Sequence, residues 1–153
     1  MQITRMASAV LLLCAATQAL AGSYQKTATG IEVNPDRGAA KLVRLNLMSD
    51  NIIQVVKFDA PGTALTPSLM TVATPCTCTF TVNATRAGKD EAVLLKAGRI
   101  SATVSLKDGR VSFFDAAGKP ILQQDAESMK PVTVGRKPFF AIKQGFNHGT
   151  RDA

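Results

Sequence analysis

Apolar and polar residues alternate with a period of two along most of this chain. The clearest example lies within residues 99–107, where Ile100, Ala102, Val104 and Leu106 alternate with serine and threonine. Such alternation is typical of an antiparallel strand with one buried and one solvated face. No segment shows a sustained period of 3.6 residues, so the pattern predicts an all-β chain.

Turn residues divide this pattern into short strands. Asp108-Gly109 is a strong hairpin signal, and Ser49-Asp50-Asn51 predicts another tight connection. The predicted strands are residues 30–34, 41–48, 52–58, 77–83, 92–96, 99–107, 110–115, 120–123 and 138–146. Many short strands separated by turns predict an antiparallel β-sandwich.

Some of these strands carry a more specific expectation. Residues 41–48 and 52–58 are apolar on both faces, which is typical of strands covered on two sides. Because Pro120 lacks a backbone donor, we expect the strand at 120–123 at a sheet edge. The strongly apolar segment at 138–146 predicts a strand in the middle of a sheet.

The first 21 residues predict a secretory signal peptide. Arg5 supplies positive charge, residues 6–16 form an apolar run, and Ala19-Leu20-Ala21 is a small-residue cleavage site before Gly22. The alternative is a membrane anchor, but a spanning helix needs about 20 apolar residues, and this run has eleven. We therefore expect removal of residues 1–21 and export to the periplasm or the extracellular space, with no membrane association after cleavage.

The rest of the chain predicts one β-sandwich domain at 22–146 and a polar tail at 147–153. The tail directly follows a core-like strand, which we interpret as the mark of a fragment. The net charge is +7, yet Arg136-Lys137 is the only adjacent basic pair. This spread favours a solvated basic surface over a nucleic-acid site. One tyrosine, seven phenylalanines and no tryptophan also leave few rings to stack on bases or sugars.

Two cysteines follow the predicted cleavage site. Cys76 and Cys78 share their parity with Phe80 and Val82, so we interpret both as small core-facing residues. A disulfide is the less favoured alternative, because Cα atoms two residues apart in a strand are about 6.5–7 Å apart, at the limit of disulfide reach. A structural zinc site needs four ligands, and the only histidine is His148 in the tail.

No complete catalytic site emerges from the sequence. A nucleophile needs a base held beside it, and the only histidine lies in the polar tail. Glycoside cleavage needs two carboxyl groups facing each other across a cleft. The acidic residues are instead typical of turns or strand ends: Asp36, Asp50, Asp90, Glu91, Asp108 and Asp115. We assign no catalytic, cofactor-binding or metal-ligating residue.

The order of the segments adds a family resemblance. Residues 41–45 lead through Ser49-Asp50 to 52–55, and residues 94–104 lead through Asp108-Gly109 to 113–122. Over most of the predicted domain, this succession resembles the N-terminal β-sandwich of glycoside hydrolase family 31, the α-glucosidases and α-xylosidases. The resemblance implies a galactose mutarotase-like fold that precedes a catalytic (β/α)8 barrel.

In that family the barrel carries both catalytic aspartates, and no segment here resembles it. The resemblance therefore implies a non-catalytic module, inactive alone, that packs on the barrel of its parent hydrolase. Without the barrel we expect Phe139, Phe140 and Ile142 to be exposed. Two alternatives stay open: a free-standing secreted protein that binds oligo- or polysaccharide, and one subunit of a split glycosidase.

Overall fold

The computed structural model of the chain describes residues 22–60 and 74–148. This part consists of strands and their connections; it contains no helix long and apolar enough to cross a membrane. The strands are β1 (Ser23–Lys26), β2 (Gly30–Asn34), β3 (Leu42–Ser49), β4 (Ile52–Phe58), β5 (Thr81–Ala87), β6 (Asp90–Lys96), β7 (Ile100–Ser105), β8 (Val111–Asp115), β9 (Pro120–Val134) and β10 (Lys137–His148).

The strands form two antiparallel sheets. One sheet has four strands in the order β1-β2-β3-β4, and the other has six in the order β10-β9-β8-β7-β6-β5. Within each sheet every strand pairs with its neighbour in sequence, so the chain runs as two consecutive meanders. This architecture confirms the predicted all-β antiparallel sandwich.

Alternating side chains from both sheets build one shared core. In the four-stranded sheet, Leu45 lies opposite Ile31 and Val55, and it is fully buried. In the six-stranded sheet, Leu95 lies opposite Ala102, and both are fully buried. These residues belong to a single buried cluster that spans the two sheets. Burying a leucine side chain stabilises the fold by roughly 1.5–3 kcal/mol relative to leaving it exposed, so this cluster is the main source of stability.

The predicted Asp108-Gly109 hairpin connects β7 to β8. Gly109 adopts φ 72°, a left-handed conformation that glycine tolerates best. A Cβ atom at this position would lie 2.8 Å from Pro35 Cγ and 2.9 Å from Val43 Cγ2. The turn therefore needs glycine both for its backbone angle and for its close packing against the core.

The structure differs from the predicted strands near the cysteines and at the N-terminus. The strand expected at 77–83 is shifted, since β5 is Thr81–Ala87. The segment before it pairs elsewhere, because the Cys76 amide donates to the Leu47 carbonyl at 2.7 Å. β1 lies outside the predicted set, because all four of its residues are exposed and it is ordered by pairing with β2 rather than by burial.

The expected positions of the last two strands are wrong. The strand that begins at Pro120 is not at an edge, because β9 lies between β8 and β10. Pro120 is its first residue, a position where a missing donor is tolerated. β10 forms the edge of the six-stranded sheet rather than its middle. It also continues through His148, past the domain boundary expected at 146.

The unequal widths of the two sheets leave part of the larger one without a covering layer. β8 pairs with β9 only as far as Gln123. Beyond this point β9 pairs with β10 alone, in a two-stranded extension that turns at Gly135-Arg136. We call residues 124–148 the ribbon.

Candidate functional site

The turn acids lie where the sequence predicts them. Asp36, Asp50 and Asp108 are in turns or bends, and Asp115 is the last residue of β8. The Asp115 Oδ1 atom accepts hydrogen bonds from the backbone amides of the next turn, including the Lys119 amide at 2.8 Å. These carboxylates therefore stabilise connections between strands.

Asp90 and Glu91 differ slightly from the prediction, because they begin β6 instead of lying in the turn. Lys107 Nζ donates to both Asp90 oxygens, at 2.9 and 3.1 Å. Glu91 is exposed and lies opposite Arg86 on β5. One carboxylate is thus held in an ion pair and the other is solvated, an arrangement that differs from two carboxyl groups facing each other across a cleft.

Among the residues that the structure describes, the carboxyl groups of Glu32 and Asp108 have shifted pKa values, and both pKa values are lowered. A hydrogen bond from Gln25 Nε2 lowers the pKa of Glu32 most; burial opposes this, and the Arg44 guanidinium, 2.6 Å away, lowers it further. Burial raises the pKa of Asp108, but hydrogen bonds from Ser105 and Arg110 outweigh that effect and lower it overall. A general acid for glycoside cleavage needs a raised pKa, so neither group is poised for that role.

The expectation that Cys76 and Cys78 are unpaired is wrong. Cys76 and Cys78 form a disulfide, with their Cα atoms 5.3 Å apart. The Cα separation of about 6.5–7 Å applies to a regular strand, whereas residues 74–80 are not in a strand. The irregular chain there brings the two Cα atoms within bridging range. The core-facing interpretation holds in part, because Cys76 and Phe80 pack against the buried cluster.

Metal and nucleic-acid sites receive no support in residues 22–60 and 74–148. This part of the chain contains no group of three or more histidine, cysteine, aspartate or glutamate residues that could hold a metal ion. In β10, the backbone of His148 pairs with Leu122 of β9. The side chain of His148 lies outside the described residues. The basic pair Arg136-Lys137 lies at the tip of the ribbon.

A groove of about 320 Å³ runs between β4 and the ribbon. Its apolar walls include Phe113 from β8 and Ile142 and Phe146 from β10. At its base, Gln124 Oε1 accepts hydrogen bonds from Lys57 Nζ and from the Val111 amide, each at 3.1 Å. None of the described residues that line it is a carboxylate, so the groove is suited to packing rather than acid–base chemistry.

The ribbon exposes large apolar side chains on both faces. Phe139 and its register partner Val132 share one face, and Phe139 is 49% exposed. On the other face Ile142 lines the groove and is 62% exposed. The structure therefore confirms the expected exposure of Phe139 and Ile142, whereas the Phe140 side chain lies outside the described residues.

Sequence reasoning did not find the β9 half of the ribbon. Residues 124–134 contain charged and small residues between the apolar ones, and Pro131 interrupts the alternation that predicts a strand. The available signal was Gly135, a turn residue between two segments of similar length. The Lys57–Gln124 contact gave no sequence signal, because it joins residues of different sheets.

The fold and the groove define a class: a β-sandwich module with an apolar ribbon that extends beyond the four-stranded sheet. No protein-family model matches the chain, and no curated protein matches it.

Among solved structures, the chain is similar to a family 31 α-xylosidase from Xanthomonas citri. The identity is 36% over 84% of this chain, with a TM-score of 0.65. The chain spans 14% of that enzyme's length. The resemblance to a family 31 β-sandwich is thereby confirmed, and the chain is a module related to glycoside hydrolase family 31.

Proposed function

We propose that the chain is the non-catalytic N-terminal β-sandwich module of an exported family 31 α-glycosidase. Its ribbon packs against the catalytic (β/α)8 barrel of that enzyme and helps to shape the entrance for the substrate. The similarity to a small part of an α-xylosidase supports this role, because catalytic residues of such an enzyme are expected in the much larger remainder.

The exposed ribbon is the observation that carries the proposal. Ile142 and Val134 are both more than three-fifths exposed, at 62% and 63%, although they lie in regular strands. Contiguous apolar surface on a folded domain usually marks an interaction site. Since the exposed residues occupy both faces, a partner that encloses the ribbon suits it better than a flat surface on one side.

The charges of the ribbon indicate what surrounds the apolar contact. Among the ribbon side chains that the structure describes, the exposed basic residues Lys130, Arg136, Lys137 and Lys143 outnumber the exposed acid Asp125. Rim charges of this kind steer association and fix its orientation more than they add affinity. We therefore expect the partner surface to be apolar at its centre and acidic at its margin.

The test is association with a separately produced barrel polypeptide from a similar family 31 α-xylosidase. Isothermal titration calorimetry should detect binding by the full chain, and Ile142→Ser should weaken it by at least about tenfold, or roughly 1.4 kcal/mol. Ile52→Ser is the matched control, because Ile52 is another exposed strand isoleucine, 55% exposed, outside the ribbon. We expect Ile52→Ser to leave the affinity unchanged.

Activity provides a second readout in the same experiment. The chain alone should not hydrolyse aryl α-xylosides or α-glucosides, because hydrolysis needs two positioned carboxyl groups. Activity that appears only after the barrel is added would favour the split-glycosidase form of the proposal. Equal loss of binding with Ile142→Ser and Ile52→Ser, or activity of the chain alone, would refute the proposed role.

Export is part of the proposal and has its own test. The predicted signal peptide lies outside the described residues, so its support is the sequence pattern of Arg5, the apolar run and Ala19-Leu20-Ala21. Mass spectrometry of the periplasmic or secreted fraction should find Gly22 as the N-terminal residue. Cytosolic protein that retains residues 1–21 would contradict it.

A further inference from the structure

A row of small polar side chains crosses the outer face of the six-stranded sheet. Thr103 on β7 lies directly opposite Ser112 on β8, and Ser112 lies opposite Gln123 on β9. Direct cross-strand partners lie about 4.5–5.5 Å apart at their Cβ atoms, so the three polar groups form a continuous line. This face is turned away from the core, which Ala102 and Val104 enter from the other side of β7.

The polar groups of this row are available to a ligand. Within the described residues, the side chains of Thr103, Ser112 and Gln123 make no hydrogen bond to other protein groups. The charged groups nearby are already paired: Lys107 with Asp90, and Arg110 with Asp108. The centre of the row therefore presents neutral hydroxyl and amide groups, each able to donate and to accept hydrogen bonds.

The surface at this row is concave and includes an aromatic ring. Two adjoining depressions, each of about 260 Å³, meet at Thr103. Phe114 lines one of them, and Ser112 and Gln123 line the other. Outside the two ion pairs, Lys96 contributes one positive charge to the lining, and Asp115 and Asp125 contribute one negative charge each. The site is thus slightly acidic and has an apolar platform at one end.

We propose that this face binds a neutral oligosaccharide. Sugar hydroxyls both donate and accept, which matches the chemistry of Thr103, Ser112 and Gln123. The C–H face of a sugar ring is apolar and packs on an aromatic ring such as Phe114. Because the depressions adjoin, consecutive sugar units can occupy them together. The small excess of negative charge makes a phosphorylated or carboxylated ligand a poorer match.

The row itself lies on β7, β8 and the start of β9, and the site meets the ribbon only at its first two residues, Gln124 and Asp125. The proposal of a sugar site therefore does not require the proposed association with a barrel. A shallow, open surface with one ring favours weak binding, with a dissociation constant of about 1 mM. Weak binding of this kind serves to hold a polymeric substrate near an enzyme, where several sugar units along one chain can engage the face in turn.

The test is an NMR titration of the full chain, labelled with nitrogen-15, with maltotetraose and with xylotetraose. Saturable shifts are expected for amides of β7, β8 and the first part of β9, with at least one of the two sugars. The Ser112→Ala/Gln123→Ala double variant should weaken binding by roughly fivefold or more. Thr103→Val, which removes a hydroxyl but keeps the side-chain shape, should weaken it as well.

Gln144→Ala is the matched control, because Gln144 is an exposed strand glutamine on β10, away from the row. It should leave the dissociation constant unchanged, and the spectrum of each variant reports directly whether it is folded. The absence of saturable shifts with both sugars, or shifts that map to the ribbon, would overturn the proposal. Tighter binding of glucose 6-phosphate at the same residues would also overturn it, since it would identify an anion site.

Discussion

The closed half of the sandwich, by which we mean the described residues outside the ribbon, contains apolar residues similar to those of the ribbon in similar strands. The burial of these residues differs between the two regions. Leu95 and Val104 are 0% exposed, whereas Ile142 is 62% exposed. The four-stranded sheet covers β6–β8 and ends at β4, which contacts the ribbon only at its base through Lys57 and Gln124, so most of the ribbon has no covering layer. The core of this chain therefore does not account for the apolar side chains of the ribbon, whereas the proposed docking to a barrel would account for them.

The same difference has a consequence for stability. A two-stranded antiparallel unit is marginally stable in water on its own. Local opening requires little free energy where few apolar groups are buried. The closed half should thus unfold as one cooperative unit, while the ribbon opens at a smaller free-energy cost.

The largest expected effect comes from truncating the core. Leu95→Ala should lower the free energy of unfolding by about 2–5 kcal/mol, because it removes buried contacts and leaves a cavity. Ile142→Ala in the ribbon should change it by less than about 0.5 kcal/mol, since an exposed side chain loses little burial. Urea denaturation followed by circular dichroism gives both values. Equal losses would show that the ribbon belongs to the cooperative core.

Two glycines with similar backbone angles allow the closed half and the ribbon to be compared. Gly109 and Gly135 both have positive φ, 72° and 62°, but a Cβ at Gly109 meets Pro35 and Val43, whereas none of the described atoms lies within 4 Å of one at Gly135. Gly135→Ala should lower the free energy of unfolding by at most about 1–2 kcal/mol, which is the cost of a left-handed backbone conformation for alanine. Gly109→Ala should lower the free energy of unfolding by about 1–3 kcal/mol more than Gly135→Ala does, because the added methyl group overpacks the core. Equal costs from the same denaturation curves would contradict the assigned packing.

The pH dependence of stability should also originate in the closed half. The folded pKa of Glu32 is lower than its ordinary value of 4.5, so its stabilising effect is present above that pH and is lost as the pH falls through the folded pKa. Glu32→Gln should cost about 1 kcal/mol at pH 7 and flatten the acid side of the stability profile. Glu91→Gln, at an exposed glutamate of β6, is the control and should leave the profile unchanged. A profile that Glu32→Gln leaves unaltered would refute the assignment.

Substitutions in the ribbon should reduce dye binding and self-association while they leave the free energy of unfolding almost unchanged. The full chain should bind a hydrophobic dye and self-associate on concentration, because its apolar ribbon is uncovered. Phe139→Ser/Ile142→Ser should reduce both signals, whereas Ile52→Ser should not. Dye fluorescence and analytical ultracentrifugation provide the measurements. If the wild-type chain stays monomeric and binds no dye, the ribbon does not form an apolar interaction surface.

The sequence predicted the closed half well and the ribbon poorly, for a physical reason. In β7, alternation predicted a strand with a core-facing side correctly. Strands covered on two sides were expected at residues 41–48 and 52–58: β3 is buried at most positions, whereas β4 is an edge strand of mostly half-buried residues. In the ribbon, exposure depends on how far the opposite sheet extends, which local pattern does not encode. The apolar run at 138–146 therefore predicted a central strand, although β10 is an edge.

The candidate sites show the same limit. The turn positions of Asp36, Asp50 and Asp108 followed from residue type, because turn chemistry is local. The Cys76–Cys78 disulfide did not follow, since it depends on the irregular path of residues 74–80. The polar row on the outer face combines residues from three strands, so its alignment required the register of the sheet.

Hydrogen–deuterium exchange with mass spectrometry, with and without the barrel polypeptide, would show whether the ribbon is the docking surface. In the chain alone, peptides from 124–148 should exchange much faster than those from β6 and β7. Adding the barrel should slow exchange in 124–148 and leave the closed half unchanged. A ribbon already protected as strongly as the core in the chain alone, or barrel-induced protection that falls elsewhere, would contradict the assignment of the ribbon as the docking surface.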